Sequence, residues 1–363
     1  MKQVQLANGV VLKNPLVMAP MTTQLSYFNG VVTNDEVTYY ANRSRDVSMV
    51  ITGATNVQKN GKGWFGELGV YDDSHIEGLT RLAKGIQQQG AKAILQIFHA
   101  GRMTSRAVLD GEQPVSASSI KAERTNAETP RELTDTEIYE VIADFKQGTR
   151  RAIQAGFDGI ELHGANTYLI QQFFSPHSNR RTDDWGGTLD KRFKFILLLV
   201  KELSQLIAEE ASEEFIFGYR FSPEEYETPG IRMADTAYLI EKLLEWPLDY
   251  LHVSLNDYHR ESNEVDYQGQ SILTWVHKVI NGRLPLMGVG GVTTSADVEQ
   301  VLQDAELVAV GQALLIDPDW GGKILTHRDS EIRSRKDLGN DVNLTMMDVP
   351  ELWDFVYAVR PDK

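Results

Sequence analysis

An imidazole, a carboxamide and a phenol stand close together in the chain as His163, Asn166 and Tyr168. They follow residues 158–162, Asp-Gly-Ile-Glu-Leu, a short apolar run that reads as a buried strand. At the C-terminal end of a strand in a parallel α/β barrel, the βα-loops form the active-site face. The spacing predicts that His163 and Asn166 point the same way once the backbone turns helical, so that together they grip one oxygen. Tyr168 can then offer a proton to a neighbouring atom. A plainer reading makes His163 and Asn166 partners of loop backbone and Tyr168 a core aromatic with its hydroxyl at the surface.

Glycines carry the next feature. Residues 287–293 contain Gly288, Gly290 and Gly291, and Gly311-Gln312-Ala313 follows a later apolar run. Barrels often bind phosphate at these two loops, through backbone amides and the N-terminus of a short helix. Only a bare backbone approaches phosphate oxygens closely. The alternative is a pair of tight strand-to-helix turns.

Other strand ends add polar groups: Ala19-Pro20-Met21-Thr22, Thr52-Gly53-Ala54, Gln96 ahead of His99-Ala-Gly-Arg102, and Arg220. A buried arginine must be paired or solvated. Arg220 suits a bound group that becomes anionic, or else forms a structural ion pair with an acid such as Glu161.

The elements that position these groups follow from periodicity. Short apolar runs fall at 16–19, 49–52, 93–97, 159–162, 215–219, 250–253, 285–287 and 307–310. Helix-like stretches lie between them, near 34–45, 74–89, 135–155, 188–209, 234–245, 271–281 and 294–303. This alternation predicts βαβ units and a parallel sheet. Eight strands close a (β/α)8 TIM barrel, here one domain over residues 1–363. The competing doubly wound sheet lacks a Gly-x-Gly-x-x-Gly after its first strand. Residues 1–15 read as an N-terminal β-hairpin cap turned by Asn8-Gly9, as type I′ turns prefer. Residues 98–133 are too long for a simple loop and are expected to decorate the active-site face. Residues 327–363, with Trp353 and Phe355, read as a C-terminal helical extension that packs on the barrel or on a neighbouring subunit of a homo-oligomer.

Composition limits the function. A net charge of −15 argues against sequence-independent nucleic-acid binding. The absence of cysteine rules out disulfides, thiolate metal sites and iron–sulfur clusters, and no metal is expected. No apolar stretch is long enough to span a bilayer, and no secretory signal is visible at Met1, so a cytoplasmic protein off the membrane is the default.

Ala19-Pro-Met-Thr22, Gln96 with His99–Arg102, His163-x-x-Asn166-x-Tyr168, Ser178–Gly187, Arg220-Phe-Ser-Pro223 and the Gly290-Gly291/Gly311 pair form an ordered set. In that order they resemble the Old Yellow Enzyme family of FMN-dependent NAD(P)H oxidoreductases and ene-reductases, over roughly residues 1–330. The resemblance implies FMN at the C-terminal face of the barrel. Thr22 would bond the flavin carbonyl near the reactive nitrogen. Ala19, Pro20, Met21 and Gly53 would line the ring, and Gln96 would bind the pyrimidine edge. Arg220 would stabilise negative charge at the N1/C2 side. Gly290, Gly291, Gly311 and Gln312 would hold the phosphate. His163 and Asn166 would hold the oxygen of a small-molecule electron acceptor, with Tyr168 as proton donor. The implied reaction is ping-pong: hydride passes from NADH or NADPH to FMN, then to an activated C=C, nitro or quinone acceptor.

One departure stands out. The family usually places arginine after the strand-eight glycine, and this chain has Gln312, which predicts FMN partly lost on purification. Thr22 also replaces the cysteine of many bacterial members, and Gln24 stands where those members carry a substrate-side tyrosine. Arg180, Arg181, Asp183 and Asp184 are expected to brace their loop. Two other readings stand beside the oxidoreductase. One is a phosphate-binding barrel aldolase or isomerase, which needs a lysine or carboxylate base that the strand ends lack. The other is a non-catalytic flavin-binding protein.

Overall fold

Eight parallel strands close into a barrel: β1 Leu16–Met18, β2 Met49–Ile51, β3 Lys92–Phe98, β4 Gly159–Gly164, β5 Ile216–Phe221, β6 Tyr250–Val253, β7 Leu286–Val289 and β8 Leu307–Val310. Neighbours in sequence pair around the ring, and β8 closes on β1 through the Ala309↔Val17 register. The computed structural model describes residues 1–334, so Trp353, Phe355 and most of the expected extension from 327 lie outside the described residues. Within that extension, residues 329–331 form one 3₁₀ turn.

The helices are α1 Asn34–Ser44, α2 Ile76–Gln87, α3 Asp135–Gln154, α4 Leu169–Phe174, α5 Leu189–Glu210, α6 Met233–Leu243, α7 Ile272–Ile280, α8 Ser295–Val301, α9 Gln312–Ile316 and α10 Trp320–Leu325. Cap chemistry starts several of them. Thr134 and Glu137 form a capping box at α3, and Thr33, Thr188, Ser271 and Thr294 cap α1, α5, α7 and α8. Among the described residues no helix is long and apolar enough to cross a membrane.

Strand alternation sorts the side chains into two cores. Val17, Met49, Ile51, Ile94, Ile216 and Met287 fill the barrel's lower interior, and Leu6, Val10 and Leu12 of the hairpin plug its base. Leu16, Val50, Leu95, Ile160, Leu162 and Leu251 point outward and pack against the helices. The hairpin turn differs from the expectation. Gly9 N–H donates to Leu6 and Leu6 N–H to Val10, and only Gly9, at φ 89°, takes the left-handed region. This is a three-residue loop ending in a glycine bulge, since Asn8 keeps a negative φ.

His99 is buried against Gln58, and Arg102 donates to the carbonyls of Ile120 and Lys121, so both brace the segment 98–133.

Candidate active site

Period two changes the chemistry of the barrel's upper interior. Gln96, Glu161, His163, Arg220, Tyr250 and His252 occupy inward positions of β3 to β6, and all are buried. Register brings them level. Glu161 sits opposite Gln96, and His163 opposite Arg220, which in turn faces His252. Gly218 is required beside them, because a Cβ there would stand 2.1 Å from the Tyr250 ring.

Glu161 is the hub. It accepts from Gln96 Nε2 at 2.7 Å, from His252 Nδ1 at 2.9 Å and from Tyr250 Oη at 3.1 Å. Burial alone would raise its carboxyl, yet His252, Arg220 and the Gln96 bond together hold it below the usual range. Burial pushes His252 down, so it donates as a neutral ring. Arg220 makes no direct bond to Glu161; its Nη2 donates to Ser254, and its buried Nε has no partner among the described residues.

Pro20, Met21, Thr22, Gln96, His163, Asn166, Tyr168 and Arg220 line one cleft of about 350 Å³ above this layer. His163 stays within β4, one residue before its end at Gly164, rather than entering a helix. The same-face expectation for His163 and Asn166 holds by another route: Asn166 and Thr167 adopt φ 55° and 65°, and α4 begins only at Leu169. This left-handed pair swings Asn166 over the strand end. Ser254 Oγ donates to Asn166 Oδ1 at 2.8 Å, which leaves the amide nitrogen free to donate. Burial, with Arg220 and His252 nearby, holds His163 well below its ordinary pKa, so the ring is neutral. Its Nδ1 accepts from Ala165 N–H at 3.4 Å, which puts the proton on Nε2.

Tyr168 packs edge-on to Phe98, His163 and Trp64, with ring centroids 5.1, 4.8 and 5.8 Å away. Burial, aided by Glu67, raises its phenol far above the ordinary value, so the proton stays on at neutral pH. Its hydroxyl has no hydrogen-bond partner among the described residues. The cleft wall thus presents donors from Thr22, His163, Asn166, Tyr168 and Arg220, with Gln96 Oε1 as an acceptor.

Two expected wall residues sit elsewhere. Ala19 belongs to the interior core below, and Gly53 gives its N–H to Tyr40 Oη. A Cβ on Gly53 would meet the Met21 carbonyl at 2.6 Å, so its glycine serves that close approach, and Ala54 takes its place in the wall. Gln24, Trp64 and Leu315 also line the cleft and were not anticipated. The glycine run around Trp64, Gly61-Lys-Gly63, was the one signal available for it.

Gly291 and Gln312 lie in a second cavity between the ends of β7 and β8. Gly311 lines neither cavity and packs on Met21, whose Sδ would lie 3.1 Å from a Cβ there. Gly290, at φ 124°, packs on the backbone of Asp257. The helices after these glycines, α8 and α9, are seven and five residues long and sum few peptide dipoles. Arg181 and its neighbours brace their loop as expected: Arg181 bonds Asp183 and the Ala117 and Leu133 carbonyls.

Residues 2–331 match the model of the NADH:flavin oxidoreductase / NADH oxidase family. The chain belongs to that family. The family is FMN-dependent, with NAD(P)H donors. The chain is 45% identical to the NADH:acrylate oxidoreductase of Vibrio harveyi over 88% of its own length, and spans only 32% of that relative. It is 39% identical to a probable NADH-dependent flavin oxidoreductase of Bacillus subtilis, covering 90% of this chain and 88% of that one. Morphinone reductase in complex with tetrahydroNAD superposes with a TM-score of 0.76 at 26% identity, covering 90% of each chain. The Old Yellow Enzyme resemblance and the TIM barrel therefore stand. Among the described residues the cleft lining contains no lysine and no carboxylate, the bases that the aldolase or isomerase reading needs.

Proposed function

We propose that this chain oxidises NAD(P)H in the cleft above β3 to β6 and passes the electrons to a small acceptor that takes the same place in turn. The observation that carries this reading is the donor-rich wall around the buried Arg220, whose Nε has no hydrogen-bond partner among the described residues. Such a wall favours a planar acceptor that gains negative charge on reduction. FMN, when bound, supplies hydride exchange between nicotinamide and acceptor.

The chain's own residues do the rest. Pro20, Met21 and Thr22 would hold the ring from one side, and Gln96 would offer it Oε1. Arg220 sets a fixed positive charge on the side where reduction places negative charge. His163 Nε2 and the Asn166 amide converge on the acceptor's oxygen and polarise it. Tyr168, held protonated, gives its proton to the α-carbon. An activated alkene fits this set of donors, and nitro compounds and quinones present the same oxygen. The acrylate relative is much longer than this chain, so its acceptor is not carried over.

The test is anaerobic. The FMN-loaded chain is titrated with NADH and with NADPH while the visible flavin band is followed, then mixed with enones, nitro compounds and quinones. Bleaching by a nicotinamide and recovery with an acceptor are expected, with parallel double-reciprocal lines. Intersecting lines would rule out sequential use of one cleft. A flavin band that neither nicotinamide bleaches would leave a binder rather than an enzyme.

A further inference from the structure

We propose that Arg333 is the phosphate clamp of this chain, standing in for the arginine that Gln312 replaces. This rests on the flavin reading above and concerns the far end of the ligand.

Two cavities flank one short helix. Leu315 of α9 lines the cleft, while Gln312, Ala313 and Ile316 of the same helix line the second cavity, of about 470 Å³. A ring in the first would therefore direct its phosphate-bearing chain along α9 toward the second. The amides of Gly291 and Gln312 have no partner among the described residues, so two donors are left for an anion.

The second cavity is otherwise hostile to an anion. Asp257, Asp297 and Asp329 line it. Each is turned to its own loop: Asp297 accepts from Thr293, Thr294 and Tyr258, Asp329 from Ser295, and Asp257 from His259 N–H. Those bonds also consume the amides of Thr293, Thr294 and Ser295 that a phosphate would otherwise use. A dianion beside three carboxylates needs a fixed cation, and α9 is too short to supply one by its dipole.

Arg333 is the one lysine or arginine among the described lining residues. Its guanidinium has no hydrogen bond or ion pair among the described residues. Its backbone is fixed in place: Arg333 N–H donates to Asp317 Oδ2 at 2.9 Å, and buried Asp317 is itself paired with Lys323 at 2.6 Å. A half-buried guanidinium, unspent among the described residues and lining the same cavity as Gln312, suits bidentate capture of a phosphate.

Riboflavin separates this claim from the flavin reading, because it carries the ring without the phosphate. The flavin-free 363-residue chain is titrated with FMN and with riboflavin, followed by fluorescence quenching, for wild type, Arg333→Ala and Gln312→Arg/Arg333→Ala. Arg333→Ala should weaken FMN on the order of 10–100-fold and leave riboflavin unchanged, and Gln312→Arg should restore FMN binding. FMN affinity within twofold of wild type in Arg333→Ala overturns the clamp while the flavin reading stands. Equal loss of both ligands overturns it too, since the contact is then not to phosphate. A wild type that binds neither ligand overturns the flavin reading and the clamp with it.

Discussion

Gln96 Nε2 donates to Glu161 Oε1 at 2.7 Å, and that bond decides which end of the Gln96 amide faces the cleft. With its nitrogen spent on Glu161, Gln96 offers an acceptor upward. Glu161 also balances the charge of Arg220. In Glu161→Gln, an amide NH₂ must face one of three donors, and Arg220 loses its counter-charge. We expect a stability loss of about 3–5 kcal/mol by chemical denaturation, and weaker FMN binding as Gln96 becomes free to flip. Unchanged values for both would remove Glu161 from the positioning of the site.

Tyr168→Phe tests proton donation with little structural disturbance. The hydroxyl has no partner among the described residues, so removing it leaves the edge-on packing against Phe98 and Trp64 intact. Stability should stay within about 0.5 kcal/mol. Re-oxidation by an enone should slow by about 10²–10⁴-fold, while bleaching by NAD(P)H keeps its rate. Stopped-flow measurement of the two halves decides it, and equal rates for mutant and wild type in both would assign the proton elsewhere.

These groups were legible for a physical reason. His163, Gln96 and Arg220 are polar residues at alternate positions of apolar runs, and period two sends them inward wherever the runs form a barrel. Gln24, Trp64 and Arg333 left no such mark. Gln24 reaches the cleft through a left-handed backbone at φ 56°, and Trp64 through a loop held by Glu67, which accepts from the amides of Gly63 and Trp64. Arg333 shares a cavity with Gln312 through a backbone that Asp317 anchors. Side chains brought in by loops depend on long-range closure, which no local period encodes. Gly53 shows a related limit, since a glycine marks close approach without saying whether a ligand or the chain itself approaches.

Arg181 separates bracing from catalysis. Its Nη1 donates to the carbonyls of Ala117 and Leu133, tying the loop after α4 to the segment before α3. Arg181→Ala leaves those carbonyls unpartnered. We expect a loss of about 2–4 kcal/mol on denaturation, with the FMN dissociation constant of the folded fraction unchanged. A folded, fully stable variant with impaired flavin reduction would instead place Arg181 in the chemistry.

Glu36 sets part of the pH dependence of stability. Burial pushes its carboxyl up from 4.5 to about 7, against the bonds it accepts from Ser26 and Thr23. A folded pKa above the unfolded one means the folded state binds the proton more tightly. The stabilisation is therefore full below about pH 4.5 and is lost as pH rises through about 7. The limiting size is about 3 kcal/mol, from roughly 1.4 kcal/mol per unit. Glu36→Gln is neutral at every pH and keeps an acceptor for Thr23, so it should match wild type near pH 5 and exceed it near pH 8. Other raised acids, such as Asp249 at about 6, slope the same way in both proteins and cancel in the difference. Melting curves of the pair from pH 5 to 8 measure it. A constant gap across that range would mean Glu36 stays ionised inside the fold, with Ser26 and Thr23 sufficient to hold the charge.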